Sequence, residues 1–157
     1  MIWPKHTQGV IRDILSHALN NIADHGYILP RKADPSLPAR PVWIQVSAKA
    51  EAEALKIEIS DGGYGLNFSK LRQVASKRGL GDDLSDETLL KILMDGGLST
   101  ADEVSKTSGR GVGVAAITAI AKENGGSALI RPRAEGGTTI AITLPREALN
   151  QELREST

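Results

Sequence analysis

The chain has 157 residues, 40% hydrophobic and 24% charged, which is enough for one domain with a buried core and too few for two ordinary ones. Its 19 basic and 19 acidic residues cancel, which removes the electrostatic case for nucleic acid or an acidic membrane as a partner. The absence of cysteine excludes disulfides and cysteine–zinc sites. No apolar stretch approaches the ~20 residues of a membrane span and no signal peptide is recognisable, so we expect one cytoplasmic domain over residues 1–157.

The first part of the chain predicts a helix and a hairpin. The apolar residues of GVIRDILSHALNNIADHG form one stripe, which predicts a helix buried on one side and ending at Gly26. The proline-rich ILPRKADPSLPARP predicts a loop of about 14 residues. PVWIQVSA and ALKIEIS alternate apolar and polar residues around a polar AKAEAE, which predicts an antiparallel hairpin with one covered face.

The remainder predicts four helices and a second hairpin. We expect short helices from about Phe68 to Arg78 and from about Asp86 to Leu93, the second capped by Ser85 or Asp86. The helix VAAITAIAKEN follows a long polar segment, SALIRPR and TTIAITLP pair around AEGG, and the tail REALNQELREST suits a short helix. Because strands and helices do not alternate strictly, the layout predicts an α+β two-layer sandwich, with a mixed, mostly antiparallel sheet and helices on one face.

Three glycines, Gly109, Gly111 and Gly113, precede the helix VAAITAIAKEN in the segment TSGRGVG. Free N–H groups and the positive end of the helix dipole make such a helix start a seat for phosphate. A dinucleotide-binding turn needs a strand directly before its glycines, and the preceding STADEVSKT is polar. A P-loop needs lysine followed by serine or threonine, and Val114 stands there instead, so both of these folds are excluded.

The first helix carries a polar pair at the edge of its apolar stripe. His17 and Asn21 lie about 40° apart on the helical wheel. The Asn21 amide oxygen is a ligand that Mg²⁺ accepts, and His17 could bond a terminal phosphate or take a proton. Taken alone, the pair fits polar residues at a core margin at least as well.

One carboxylate and one threonine lie at strand ends, each beside a glycine-rich turn. Asp61, in DGGYG, ends a strand, where its carboxylate can accept a hydrogen bond from the adenine amine but would repel the guanine carbonyl. Gly63 and Gly65 would let the backbone curl around the base. Thr138, in GGTT, could support Asp61. Taken alone, each stretch fits a plain turn better.

Taken in order, HALNNIADHG, DGGYG, GGLSTADEVSKTSGRGVG and GGTT resemble the four motifs of the gyrase/chaperone/histidine kinase/MutL (GHKL) superfamily of ATP-binding domains. They most resemble the catalytic domain of the chemotaxis-type (CheA) histidine kinases, over roughly residues 14–145. The resemblance implies the Bergerat-type ATP-binding fold. It also implies ATP and Mg²⁺ as cofactors.

The resemblance also implies roles for individual residues. Asn21 would bind Mg²⁺, His17 would contact the γ-phosphate or act as the catalytic base, and His25 would border the same pocket. Asp61 would hold the adenine amine, with Gly63, Gly65 and Thr138 around it. The segment from about Gly96 to Gly113 would form a lid over ATP, with N–H groups of Gly109, Gly111 and Gly113 on the phosphates.

Three positions depart from the family pattern. Asn20 stands where arginine is usual, Val74 where lysine is usual, and Leu98 where the lid has phenylalanine. The first two changes remove basic groups that would contact phosphate.

The sequence therefore predicts a Mg²⁺-ATP-binding catalytic domain of a two-component histidine kinase, transferring the γ-phosphoryl group to a histidine on another domain or chain. The implied partners are a phosphoacceptor histidine domain and a response regulator, neither within this chain. One alternative is a stand-alone serine/threonine kinase resembling the anti-sigma-factor kinases, which have glutamate in place of His17. Another is a non-catalytic interaction module gated by ATP.

Overall fold

A layer of helices packs on a four-stranded sheet in the computed structural model, which describes residues 5–98 and 113–149. The helices are α1 (Lys5–Asn21), a π-helical segment (Ile22–Ile28), α2 (Leu29–Ala33), α3 (Phe68–Lys77), α4 (Asp86–Met94), α5 (Gly113–Glu123) and α6 (Arg146–Leu149). The strands are β1 (Ile44–Ala50), β2 (Ala54–Asp61), β3 (Ser127–Pro132) and β4 (Thr138–Pro145). None of the helices in these residues is long and apolar enough to cross a membrane.

The strands lie in the order β1-β2-β4-β3, and each neighbouring pair is antiparallel. Both predicted hairpins are present, and β2 pairs with β4 in a register that sets Ile57 opposite Ile142. The predicted α+β two-layer sandwich is confirmed.

The main core lies between the sheet and the pair α1 and α5. Ile14 of α1, Ile117 of α5 and Ile59 of β2 are fully buried within one cluster. Each such side chain contributes roughly 1.5–3 kcal/mol when withdrawn from water. A second cluster joins α3 to α4 and contains Leu71, Ala75, Leu89 and Leu98. The two clusters fix the helices that border the cleft described below.

The predicted covered face of the first hairpin is confirmed for β2 but wrong for β1. Leu55, Ile57 and Ile59 of β2 are buried, whereas every residue of β1 is exposed. Register sets Val46 opposite Ile59, yet Val46 is 49% exposed because the described helices do not extend over this edge. An alternating pattern indicates a strand, but a neighbouring layer decides which strand is covered.

The predicted end of the first helix at Gly26 is also wrong. The backbone continues through the π-helical segment and α2 to Ala33, so only residues 34–41 of the predicted loop are non-helical. The Gly26 carbonyl accepts a hydrogen bond from the Tyr64 N–H at 2.9 Å, outside the helix. Pro30 lies in the first turn of α2, where a helix needs no N–H donor.

The predicted helices α3 and α4 are present with capped N-termini. Asn67 caps α3 by accepting from Lys70 N, and Ser85, of the two candidates, caps α4 by accepting from Thr88 N. The short α6 begins the predicted tail helix, and the remainder of that tail lies outside the described residues.

Candidate functional site

A cleft of about 610 Å³ opens between the end of the first helix, the DGGYG turn, α3 and the start of α5. Its size suits a small-molecule ligand. The cleft brings together most of the described residues that the motifs single out: Asn21, His25, Asp61, Gly65, Gly113 and Thr138. Gly63 lies directly behind Asp61, and its N–H bonds the Asp61 carboxylate.

Asp61 is a buried carboxylate at the end of β2, with 1% of its surface exposed. Its Oδ1 accepts from Gly63 N at 2.8 Å. Its Oδ2 accepts from Thr138 N at 3.1 Å and from Thr138 Oγ1 at 2.6 Å. Donors on both oxygens fix the orientation of the carboxylate and offset the loss of water around it. The Thr138 hydroxyl therefore helps to hold the Asp61 carboxylate in place.

Glycine is required where the DGGYG turn meets the first helix and the β3–β4 turn. A Cβ at Gly63 would overlap the Gly26 carbonyl, which accepts from Tyr64 N. Gly65 has a φ of 75°, which side-chain-bearing residues rarely adopt, and its Cα lies against Gly137. The floor of the cleft is thus built by close backbone approach.

Asn21 and Gly113 meet at the opposite end of the cleft. A Cβ at Gly113 would overlap the side-chain amide of Asn21. Both residues line the cleft, so the start of α5 and the end of α1 form one surface. Gly109 and Gly111 lie outside the described residues, as does the lid segment between Leu98 and Gly113.

His17 lies one helical turn before Asn21 and is half-buried. It does not line the cleft formed by residues 5–98 and 113–149, in contrast to Asn21 and His25.

Burial lowers the pKa of His25, the nearby Asp24 carboxylate raises it, and Lys70 lowers it further. The net shift is downward, which favours the neutral imidazole near neutral pH.

Two features of the cleft, Lys70 and an apolar wall, carry no sequence motif. Lys70 of α3 lines the cleft. The only sequence signal for this position is helical spacing, which sets Lys70 beside the buried Leu71 and one turn before Val74, where the family usually has lysine. Leu29, Pro30 and Leu37, from the segment predicted as a loop, form an apolar wall. Leu98 also lines the cleft and is 3% exposed, so at this position leucine provides an apolar contact.

The donors at the cleft suit one kind of metal site. No group of three or more histidine, aspartate and glutamate side chains within the described ranges could hold a metal ion by itself. The Asn21 amide oxygen is a hard ligand that suits Mg²⁺ when phosphates and water complete the coordination. The residues present therefore fit Mg²⁺ bound together with a nucleotide, and do not fit a metal held by protein alone.

Comparison with known proteins identifies the family. A family model described as histidine kinase-, DNA gyrase B-, and HSP90-like ATPase matches residues 7–148. The chain is 36% identical to chemotaxis protein CheA of Klebsiella aerogenes over 137 residues, 86% of this chain and 21% of that protein. It is 33% identical to a gliding motility regulatory protein of Myxococcus xanthus over 146 residues, 88% of this chain and 18% of that protein.

A solved structure of the ATP binding domain of PrrB from Mycobacterium tuberculosis is also similar. The two share 18% identity and a TM-score of 0.47, over 87% of this chain and 67% of that one.

The chain belongs to the family of histidine kinase-, DNA gyrase B- and HSP90-like ATPases, which confirms the resemblance found in the motifs. It is an ATPase domain of the histidine kinase type, and this membership supports ATP as the ligand of the cleft. The chain spans about a fifth of the length of the curated relatives it matches.

Proposed function

We propose that this chain is the Mg²⁺-ATP-binding catalytic domain of a two-component histidine kinase, which transfers the γ-phosphoryl group of ATP to a histidine on another domain or chain. The observation that carries the proposal is the buried Asp61 carboxylate, held by Gly63 and Thr138 at the floor of the cleft. A fixed acceptor at this position suits the exocyclic amine of adenine and opposes the carbonyl of guanine.

The phosphates would lie at the other end of the cleft, where Asn21 meets the first turn of α5. Four N–H groups at a helix start have no partner within the helix, and the helix dipole favours an anion there. Gly113 begins α5 and, as glycine, carries no side chain of its own over this helix start. Lys70 would add a positive charge, which offsets part of the loss of basic groups at Asn20 and Val74.

Asn21 would hold Mg²⁺ through its amide oxygen, and bound Mg²⁺ neutralises developing charge on the phosphates. Phosphoryl transfer requires positioning and charge neutralisation more than covalent chemistry by the enzyme. His17, one turn before Asn21, would act at the γ-phosphate or as a base.

The other two histidines of this chain are poor acceptors of the phosphoryl group, because His25 lines the cleft and His6 hydrogen-bonds Asn124 at the other end of α5. The acceptor is therefore proposed to lie elsewhere, with a response regulator as the next partner.

One observation favours a second candidate, a non-catalytic ATP-gated interaction module. Val74, at the position where lysine is usual, packs against the cluster of Leu71 and Leu89 and offers no charge to a phosphate. A module of this kind would bind ATP without turnover.

A single-turnover assay tests the proposal against this alternative. The chain is mixed with γ-labelled ATP, Mg²⁺ and a histidine-bearing domain encoded with it or beside it. Label on that domain that survives base and is lost in acid, as phosphohistidine is, supports the kinase. Nucleotide binding with no transfer to such a domain supports the module.

A further inference from the structure

Residues 29–41 cross the end of the cleft where Asp61 lies, and we call this segment the strap. It consists of α2 and the first part of the loop that follows it. Leu29, Pro30 and Leu37 of the strap line the cleft and are half-buried, so one wall of the site is apolar. No motif of the family resemblance covers this wall.

Tyr64 and Arg40 fasten the strap to the turns around Asp61, as does Tyr27, whose hydroxyl bonds both Pro41 and Gly62. The Tyr64 hydroxyl donates to the Pro38 carbonyl at 2.6 Å. Arg40 Nη1 donates to the Glu135 carbonyl at 2.9 Å, and its guanidinium carbon lies 5.8 Å from the centre of the Tyr64 ring. The distance is within the range of a cation–π contact. Tyr64, Arg40 and the strap therefore form one clamp.

The clamp ends beside the groups that hold the Asp61 carboxylate. Tyr64 follows Gly63, whose N–H bonds Asp61 Oδ1. Glu135 lies in the turn that leads to Thr138, which bonds Asp61 Oδ2. Gly136 of the same turn packs so tightly on Arg40 that a Cβ there would overlap the guanidinium. A shift of the strap would therefore alter both the apolar wall and the loops that orient Asp61.

We propose that Tyr64 and Arg40 are positioning residues for nucleotide binding, which hold the apolar wall of the strap against the adenine base and leave the phosphates untouched. This inference rests on the proposed function, because it requires adenine at Asp61. An apolar wall held in place before binding raises affinity by lowering the ordering cost at the moment of binding. The wall should therefore affect the affinity for the adenine base, which adenosine, ADP and ATP share.

The test is calorimetric titration of adenosine, ADP and ATP into the wild-type chain, Tyr64→Phe and Arg40→Gln, well below the unfolding temperature. Tyr64→Phe removes only the hydroxyl that bonds Pro38. We expect each variant to raise the Kd for all three ligands by a similar factor of about three- to tenfold. Arg31→Gln is the matched control, because Arg31 is an exposed strap arginine without a hydrogen bond or ion pair among the described residues, and it should change no Kd.

Two results would overturn the clamp. Unchanged affinities in both variants would show that the strap needs neither side chain. A loss that grows from adenosine to ATP would assign Arg40 to the phosphates instead. In both cases the wild-type chain still binds adenine nucleotides. If the wild-type chain binds none of the three ligands, the proposed function itself fails.

Discussion

The side-chain amide of Asn21 rests directly on the Cα of Gly113, so that any side chain at residue 113 would overlap it. The contact joins the last residue of α1 to the first residue of α5. The residue proposed to hold Mg²⁺ is therefore positioned by the same helix start that is proposed to receive phosphate.

Replacing Gly113 by alanine should displace Asn21 and weaken binding of Mg²⁺-ATP by about tenfold or more, equivalent to about 1.4 kcal/mol. The measurement is titration of Mg²⁺-ATP into Gly113→Ala. Gly9→Ala is the control, because Gly9 lies within α1 with nothing close to its missing Cβ. That control should leave the Kd unchanged and stabilise the chain by about 0.5–1 kcal/mol, as alanine for glycine does in a helix. Unchanged affinity in Gly113→Ala would contradict the assigned contact.

Removing the Asn21 amide should weaken ATP binding only when Mg²⁺ is present. Asn21→Ala is titrated with ATP in excess Mg²⁺ and again in a chelator, and the expected loss is confined to the first condition because the amide is proposed to act through the metal. Asn20→Ala serves as the matched control, since Asn20 is the exposed neighbour of Asn21. Equal affinity of Asn21→Ala and wild type in Mg²⁺ would refute the metal assignment.

His17 should matter more for transfer than for binding, because it lies outside the lining of the cleft formed by the described residues. In the single-turnover assay, His17→Ala should lower the transfer rate by about 100-fold or more, the scale of a lost acid–base or positioning group. Titration of Mg²⁺-ATP should show a much smaller change in Kd. A large loss of affinity with the transfer rate retained would assign His17 to nucleotide binding alone.

The lowered pKa of His25 gives the stability of the fold a defined pH dependence. Burial is the largest cause of the shift, Lys70 adds to it, and Asp24 opposes it. The unfolded chain therefore binds a proton at His25 near pH 6.5, its ordinary pKa, whereas the folded chain binds that proton only at a lower pH. The contribution of His25 to stability is fully present above pH 6.5 and is lost as the pH falls through the folded pKa.

Denaturant unfolding at a series of pH values below 6.5 measures this effect. Wild-type stability should decline as the pH falls over that range, and His25→Gln should decline less steeply. Identical slopes for the two proteins would show that His25 does not contribute.

Local patterning was sufficient for most elements of the fold. Alternation at Leu55, Ile57 and Ile59 predicts β2, and capping residues before an apolar stripe predict that α4 begins at Ser85 or Asp86. These signals lie within a few residues of one another in the sequence. The exposure of β1 depends on where the helix layer ends, which its own alternating residues do not encode.

Long-range contacts account for the elements that patterning did not predict. The helix continues beyond Gly26, whose carbonyl accepts a hydrogen bond from the Tyr64 N–H. No residue near Gly26 in the sequence indicates this distant partner. In the site, Asn21, Asp61 and Thr138 stand in recognisable motifs. Lys70 and the strap have no motif, so only the packing of α2 and α3 around the cleft brings them to it.

Titration of ATP and GTP into the wild-type chain and Thr138→Val measures whether Asp61 recognises adenine. Valine keeps the shape of threonine but removes the hydroxyl that donates to Asp61 Oδ2. Thr139→Val is the control, because neighbouring residues of a strand point to opposite faces and the Thr139 hydroxyl bonds Ser60 instead.

We expect the wild-type chain to bind ATP at least about tenfold more tightly than GTP, a difference of about 1.4 kcal/mol. Thr138→Val should narrow this preference for ATP, while Thr139→Val should retain it. Equal affinities of the wild-type chain for ATP and GTP would show that Asp61 does not select adenine.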